Sequence, residues 1–225
     1  KAVTLSWAMF SLVGPEAQVK AGDMLGHLPE FDSVVDLEFA NTTITVDCHR
    51  DFSICAVNIL VPSEHAAAVL GQLTRTEQKM GIATMSTHGY ECFRIFHGIP
   101  REEHELTSDF NPYEAGLVNA ISFTKGCYIG QEVIARLDTY QKIQRKLVRL
   151  SFNKCLPDFH QPIPLSKDGE HVGILSSFSH VQLKGEYPAL GIVEKESVML
   201  GDTLFVGPHL PGIKGVVMEI FDRSL

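Results

Sequence analysis

The regular spacing of short alternating stretches in the last third of the chain most constrains what it can fold into. From Lys146 to Phe152 the side chains alternate, with Val148, Leu150 and Phe152 on one face and Arg149 and Ser151 on the other, the period of a half-buried strand. Further strand-type runs follow at Val172 to Ser177, Ala189 to Val193, Thr203 to Val206 and Gly215 to Ile220. Turn pairs punctuate them at Asp168-Gly169, Lys184-Gly185 and Pro211-Gly212. Spacing of this kind predicts a small antiparallel barrel or sandwich.

The first half follows a different rule. Val3, Leu5, Trp7 and Met9 alternate as a strand does, and Gly14-Pro15 then opens a helix. Val34 to Phe39 and Thr43 to Asp47 are strand-type, separated by Asn41-Thr42 as a turn, and Ile54 to Val61 is a continuously apolar strand stopped by Pro62. Ser63 is placed to cap the next helix, with Ala66 to Leu73 supplying propensity and an apolar face. Ala83 to Met85 reads as a short strand and Tyr90 to Phe96 as a short helix ending near Gly98. The expected fold class is therefore α+β: a ferredoxin-like α/β layer domain over residues 1–115, a linking segment over 116–143, and a small antiparallel β-barrel over 144–225.

With 225 residues, 44% of them hydrophobic and 20% charged, the chain can bury a sizeable core and is not a disordered segment. A net charge of -8 argues against a protein whose main task is gripping nucleic acid or an anionic membrane, and no apolar run approaches the ~20 residues of a membrane-spanning helix. The basic cluster Lys142, Arg145, Lys146 and Arg149 is either a solvated face or an anion-binding strip. Five scattered cysteines, Cys48, Cys55, Cys92, Cys127 and Cys155, fit cytoplasm or another reducing compartment, and no ligand spacing points to a metal. The chain starts at Lys1 with no charged-then-apolar leader, so a targeting segment is not observable.

Between the two halves lies KGCYIGQE, Lys125 to Glu132, which sets a thiol and two glycines beside a lysine, an amide and a carboxylate. Gly126 and Gly130 would let the backbone present Cys127 and Tyr128 on a tight loop. Cys127 is a nucleophile, redox thiol or soft ligand, or else a small buried apolar residue. Lys125 suits a carboxylate or phosphate, and Gln131 and Glu132 suit the polar edge of a heterocycle, while the same residues also suit the start of a helix. Arg94 sits among Phe93, Ile95 and Phe96, where a guanidinium requires a ligand or an internal partner such as Glu91, Glu103 or Glu114. Tyr113 and Glu114 lie just upstream of the motif.

KGCYIGQE resembles the signature of the YgfZ-type folate-binding proteins, relatives of the glycine cleavage aminomethyltransferase (T-protein). RIFHGIPREEHELT with NPYEAGL, LVGPEAQV, VPSEHAAAVLGQL, VGILSSFSH and ALGIVEK resemble landmarks of the wider superfamily, so the likeness covers nearly the whole chain. The resemblance implies a cloverleaf of α+β domains with a C-terminal barrel, tetrahydrofolate as cofactor, and a role in assembling or repairing iron-sulfur enzymes with client or assembly proteins as partners. It implies Cys127 as the functional thiol, and Arg94, Lys125, Gly126, Tyr128, Gly130, Gln131 and Glu132 as folate-binding positions. The alternatives are a folate-dependent aminomethyltransferase and an interaction scaffold without folate. Two departures stand out: the family's N-terminal domain, with its catalytic aspartate, is not matched, and the acid that grips the pterin in the aminomethyltransferases falls at Ile54.

Overall fold

The computed structural model describes residues 6–27, 30–51, 54–140, 143–158, 162–207, 210 and 212–221. The chain forms two compact units, one running through Met85 and the other beginning at Ser86.

In the first unit, β1 (Trp7–Val13) leads into α1 (Ala17–Leu25), then β2 (Ser33–Phe39), β3 (Thr42–Asp51) and β4 (Ile54–Pro62), and finally α2 (Ala66–Met80). The four strands form one antiparallel sheet in the order β1-β4-β3-β2. Alternation decides which face is dry. Ile44, Val46 and Cys48 of β3 and Val57, Ile59 and Val61 of β4 join Ala21 of α1 and Val69 and Leu73 of α2 in one core. The intervening residues carry a polar ladder: Ser11 Oγ donates to Asn58 (2.7 Å), and Asn58 Nδ2 donates to Asp47 (3.2 Å), which also bonds His49 (2.8 Å). The β2-β3 turn lies at Ala40-Asn41, one residue before the expected pair, and both residues have positive φ (51° and 61°), as two-residue hairpins require.

The second unit opens with α3 (Thr87–Phe96), capped by Ser86 Oγ, which accepts from Gly89 N-H at 3.1 Å. A long irregular stretch leads to α4 (Gln131–Tyr140). Six antiparallel strands then close into a barrel in the order β10-β5-β8-β7-β6-β9: β5 (Arg145–Phe152), β6 (Ile163–Lys167), β7 (Glu170–Phe178), β8 (Tyr187–Glu194), β9 (Thr203–Val206) and β10 (Lys214–Ile220). Val148, Leu150, Phe152, Leu165, Leu175 and Leu204 fill its interior. Closure requires close approach at Gly173, where a Cβ would fall 2.3 Å from the Ile192 carbonyl oxygen.

The barrel, the layered first half and nearly all their strands match the sequence expectation, with four differences. Ala83 to Met85 is irregular chain rather than a strand. The barrel strand β6 was missed because it is five residues long and carries Pro164, which argues against a strand. Helix α2 is entered through a 3-10 turn at Ser63–His65. Finally, the compact units meet at Met85/Ser86 rather than near residues 115 and 143. The reason for that last difference is apolar: Ile95 of α3 packs with Leu147, Leu190, Ile192 and Phe221 of the barrel unit. Val3 and Leu5 lie outside the described residues. None of the described helices is long and apolar enough to cross a membrane.

Candidate functional site

KGCYIGQE forms a loop and the first turn of α4. Gly130 has φ 91°, which an L side chain resists, and its carbonyl oxygen accepts from both Val133 and Ile134 N-H at 3.1 Å to start the helix. Gln131 N-H donates to the Tyr128 carbonyl (3.2 Å), and Glu132 occupies the helix's first turn, where the dipole favours a carboxylate. Upstream, Ser122 Oγ accepts from Lys125 N-H (3.1 Å), and the Lys125 ammonium sits 4.5 Å from the centre of the Tyr128 ring. Gly126 is different: its φ is not positive and space around it is open, so nothing local requires a glycine there.

The loop borders an open cleft of about 470 Å³, within the size range of small-molecule sites. Pro112, Leu117, Ile121, Ile129, Val133 and Ile134 make its walls largely apolar, and Asn111, Ser122, Lys125 and Tyr128 supply the polar groups. Ile129 is fully exposed, Val133 is 60% exposed, and the Cys127 thiol is exposed rather than packed as a small apolar residue. Asn111, which also lines the cleft, anchors a turn: its Oδ1 accepts from Tyr113 and Glu114 N-H (3.0 and 3.1 Å) while Glu114 Oε2 accepts from Asn111 N-H (3.2 Å). Asn111 and Ser122 were not singled out from sequence. An Asn followed three residues later by Glu is the signal that could have marked Asn111 as the anchor of a turn.

Arg94 does not join this cleft. It is 1% exposed, and its guanidinium donates to Glu91 (2.8 Å), the Ile99 carbonyl (3.3 Å), Glu105 (3.4 Å) and Ser177 Oγ (2.9 Å). Of the three expected partners Glu91 is present, while the buried carboxylate is Glu105, which also accepts from Ser176 and Ser177 hydroxyls (2.5 and 2.7 Å) and Arg101 N-H (3.1 Å). The side chain is thus enclosed and supplied with internal acceptors at the position where the resemblance implies a folate contact. The basic cluster is likewise no anion strip among the described residues. Arg149 pairs with Glu219 (3.0 Å) and covers the Phe96 ring, Lys146 donates to the Val198 carbonyl (2.6 Å), and Arg145 donates to the Asp109 carbonyl (3.4 Å); Lys142 lies outside the described residues. Ile54, where the resemblance places the pterin-gripping acid, is a buried residue of β4.

No family model matches the chain. Among solved structures, the glycine cleavage system aminomethyltransferase T of Bartonella henselae superposes over 95% of this chain and 58% of its own, with a TM-score of 0.70 and 18% identity, which shows the fold. In sequence, the chain is 32% identical over 218 residues to a chloroplastic protein of Arabidopsis thaliana provisionally named a transferase. It is 28% identical over 149 residues to an aminomethyltransferase of Desulfitobacterium hafniense, and 33% identical over 81 residues to the tRNA-modifying protein YgfZ of Colwellia psychrerythraea. The chain is thus similar in sequence to aminomethyltransferases and to YgfZ, and shares the aminomethyltransferase fold.

The match takes in 95% of this chain but only 48% of the Arabidopsis protein, 66% and 40% in the Desulfitobacterium match, and 35% and 25% in the Colwellia match. It therefore spans about half or less of the length of these relatives. Among the described residues, no group of three or more His, Cys, Asp or Glu side chains could hold a metal ion.

Proposed function

We propose that the chain binds tetrahydrofolate and serves as an accessory protein in the assembly or repair of iron-sulfur enzymes. The observation that carries the folate reading is the cleft itself: the signature loop forms one of its borders, with an apolar slot, an aromatic ring and a single ammonium group converging on it. These residues fit the aminobenzoyl-glutamate half of a folate. The apolar walls and Tyr128 suit the aryl ring, and Lys125 suits a glutamyl carboxylate. The pterin half has no carboxylate among the cleft-lining residues, so its polar edge would meet neutral donors such as Ser122 and the Asn111 amide.

The names of the aminomethyltransferase relatives support a second reading, in which the chain takes part in folate-dependent aminomethyl transfer. For the accessory reading, Cys127 stands exposed on the loop where a cluster, a one-carbon unit or a partner can reach it.

Calorimetric titration of tetrahydrofolate into the protein tests the first step, with saturable binding expected. A flat titration would leave the interaction-scaffold reading in its place. Robust aminomethyl transfer from a lipoyl carrier would put the enzyme reading ahead of the accessory one.

A further inference from the structure

Outside the cleft, the barrel carries a second exposed thiol in a more specific setting. Cys155 follows β5, and its Sγ lies 3.4 Å from Nδ1 of His180, just after β7. The other ring nitrogen, Nε2, lies 2.9 Å from Oδ1 of Asp158. The imidazole is held from its flanks as well. Phe178, which packs on the barrel core, meets the ring edge-on with centroids 5.2 Å apart, and the backbone on either side is tied by Ser179 Oγ, which accepts from Val181 N-H at 3.1 Å.

This order of groups has a chemical meaning. Asp158 accepts from Nε2-H, which fixes the tautomer in which Nδ1 carries a lone pair facing the thiol. Cysteine and carboxylate occupy opposite edges of the ring and cannot share one metal ion, so the arrangement is a proton relay rather than a chelate. The sulfur has one other polar neighbour among the described residues, the Leu156 carbonyl oxygen at 3.4 Å, and it is open to solvent.

We infer that Cys155 is a nucleophilic thiol, with His180 as its base and Asp158 as the residue that positions the base, and that it undergoes exchange with low-molecular-weight disulfides. In that step Sγ attacks one sulfur of RSSR, its proton passes to Nδ1, the Sγ-S bond forms as the S-S bond breaks, and the departing thiolate recovers the proton from Nδ1. The balance is Cys155-SH plus RSSR giving Cys155-S-SR plus RSH, with no further oxidant. The exchange is reversible and independent of folate.

Glutathione disulfide is the probe, with site-resolved mass spectrometry of the whole chain, and iodoacetamide labelling across about pH 5.5 to 9 gives the rate profile against N-acetylcysteine as a free thiol. The mixed disulfide is expected on Cys155, and near neutral pH its alkylation should exceed that of the free thiol about tenfold. His180→Ala should abolish that excess. Asp158→Asn should cut the rate about threefold, whereas Asp158→Glu should retain most of the rate. The wild-type ratio decides by itself, so a variant that folds badly leaves the test intact. A Cys155 rate equal to that of N-acetylcysteine, or no mixed disulfide at Cys155, would overturn the inference.

Discussion

Arg94 and Lys125 are both cations in segments that resemble folate contacts, yet they meet opposite fates. The Arg94 guanidinium is enclosed by Glu91, Glu105, Ser177 and a carbonyl, while the Lys125 ammonium lies over a tyrosine at the edge of an open cleft. The difference teaches that a charge embedded between apolar neighbours is brought inside by the helix that carries it and must find internal acceptors. A charge on a glycine-bearing loop carries no such obligation, and its free donors remain for a ligand. The first arrangement favours stability, and the second is the one we propose for binding.

The sharpest way to break that contrast is to remove one partner of the buried pair. Glu105→Ala removes the fully buried one of the two carboxylates on Arg94, together with the acceptor shared by the Ser176 and Ser177 hydroxyls, and should cost about 3 kcal/mol in urea unfolding of the barrel unit. A loss below ~1 kcal/mol would mean that the network is not structural.

At the loop, Lys125→Ala should weaken tetrahydrofolate binding about tenfold, with unfolding unchanged within roughly 0.5 kcal/mol. Equal losses in both assays would erase the distinction from Arg94. Cys127→Ala should leave the thermal unfolding curve intact, because the thiol is exposed, but lower the activity of a dependent iron-sulfur enzyme in cells. Unchanged cellular activity would remove the cysteine from the proposed role.

The two glycines of the motif separate more finely. Gly130→Ala forces an L side chain to φ 91° and should cost about 1 to 2 kcal/mol of local strain, read as weaker folate binding, whereas Gly126→Ala should be neutral in the same titration.

The smallest effect concerns pH. Lys167 holds the Asp202 carboxyl below the usual carboxylate range by a hydrogen bond at 2.6 Å, and Met199 N-H adds a second at 2.7 Å. A depressed folded value means that the stabilisation is present above the unfolded carboxylate's range and is lost as pH falls through the folded one. The stability difference between wild type and Asp202→Asn should therefore be full at neutral pH and close in acid, as measured by denaturant midpoints. A difference that grows in acid would contradict the assignment.

The barrel was legible because its strands alternate and its turns carry glycine: Asp168-Gly169 was read as a turn and has positive φ at both residues (54° and 88°). The motif loop was legible because glycine, thiol and charge in one octapeptide rarely serve a core. What sequence could not show was long-range partnership. Arg94 meets Ser177 across 83 residues, and no local pattern marks Glu105, eleven residues on, as its buried acceptor in preference to Glu103 or Glu114. The seam at Met85/Ser86 was hidden for a related reason. The apolar stripe of α3 is visible in sequence, but the surface it covers is assembled from barrel strands and Phe221 more than fifty residues later. Strand β6 was lost to its proline, since a closed barrel accommodates a short strand that propensity alone rejects.

Hydrogen exchange with and without tetrahydrofolate tests the central contrast most directly. Binding at the motif cleft predicts added protection within residues 111 to 134, with none in α3 around Arg94. Protection centred on α3, with the Lys125 to Glu132 segment exchanging as fast as in the free protein, would contradict the account.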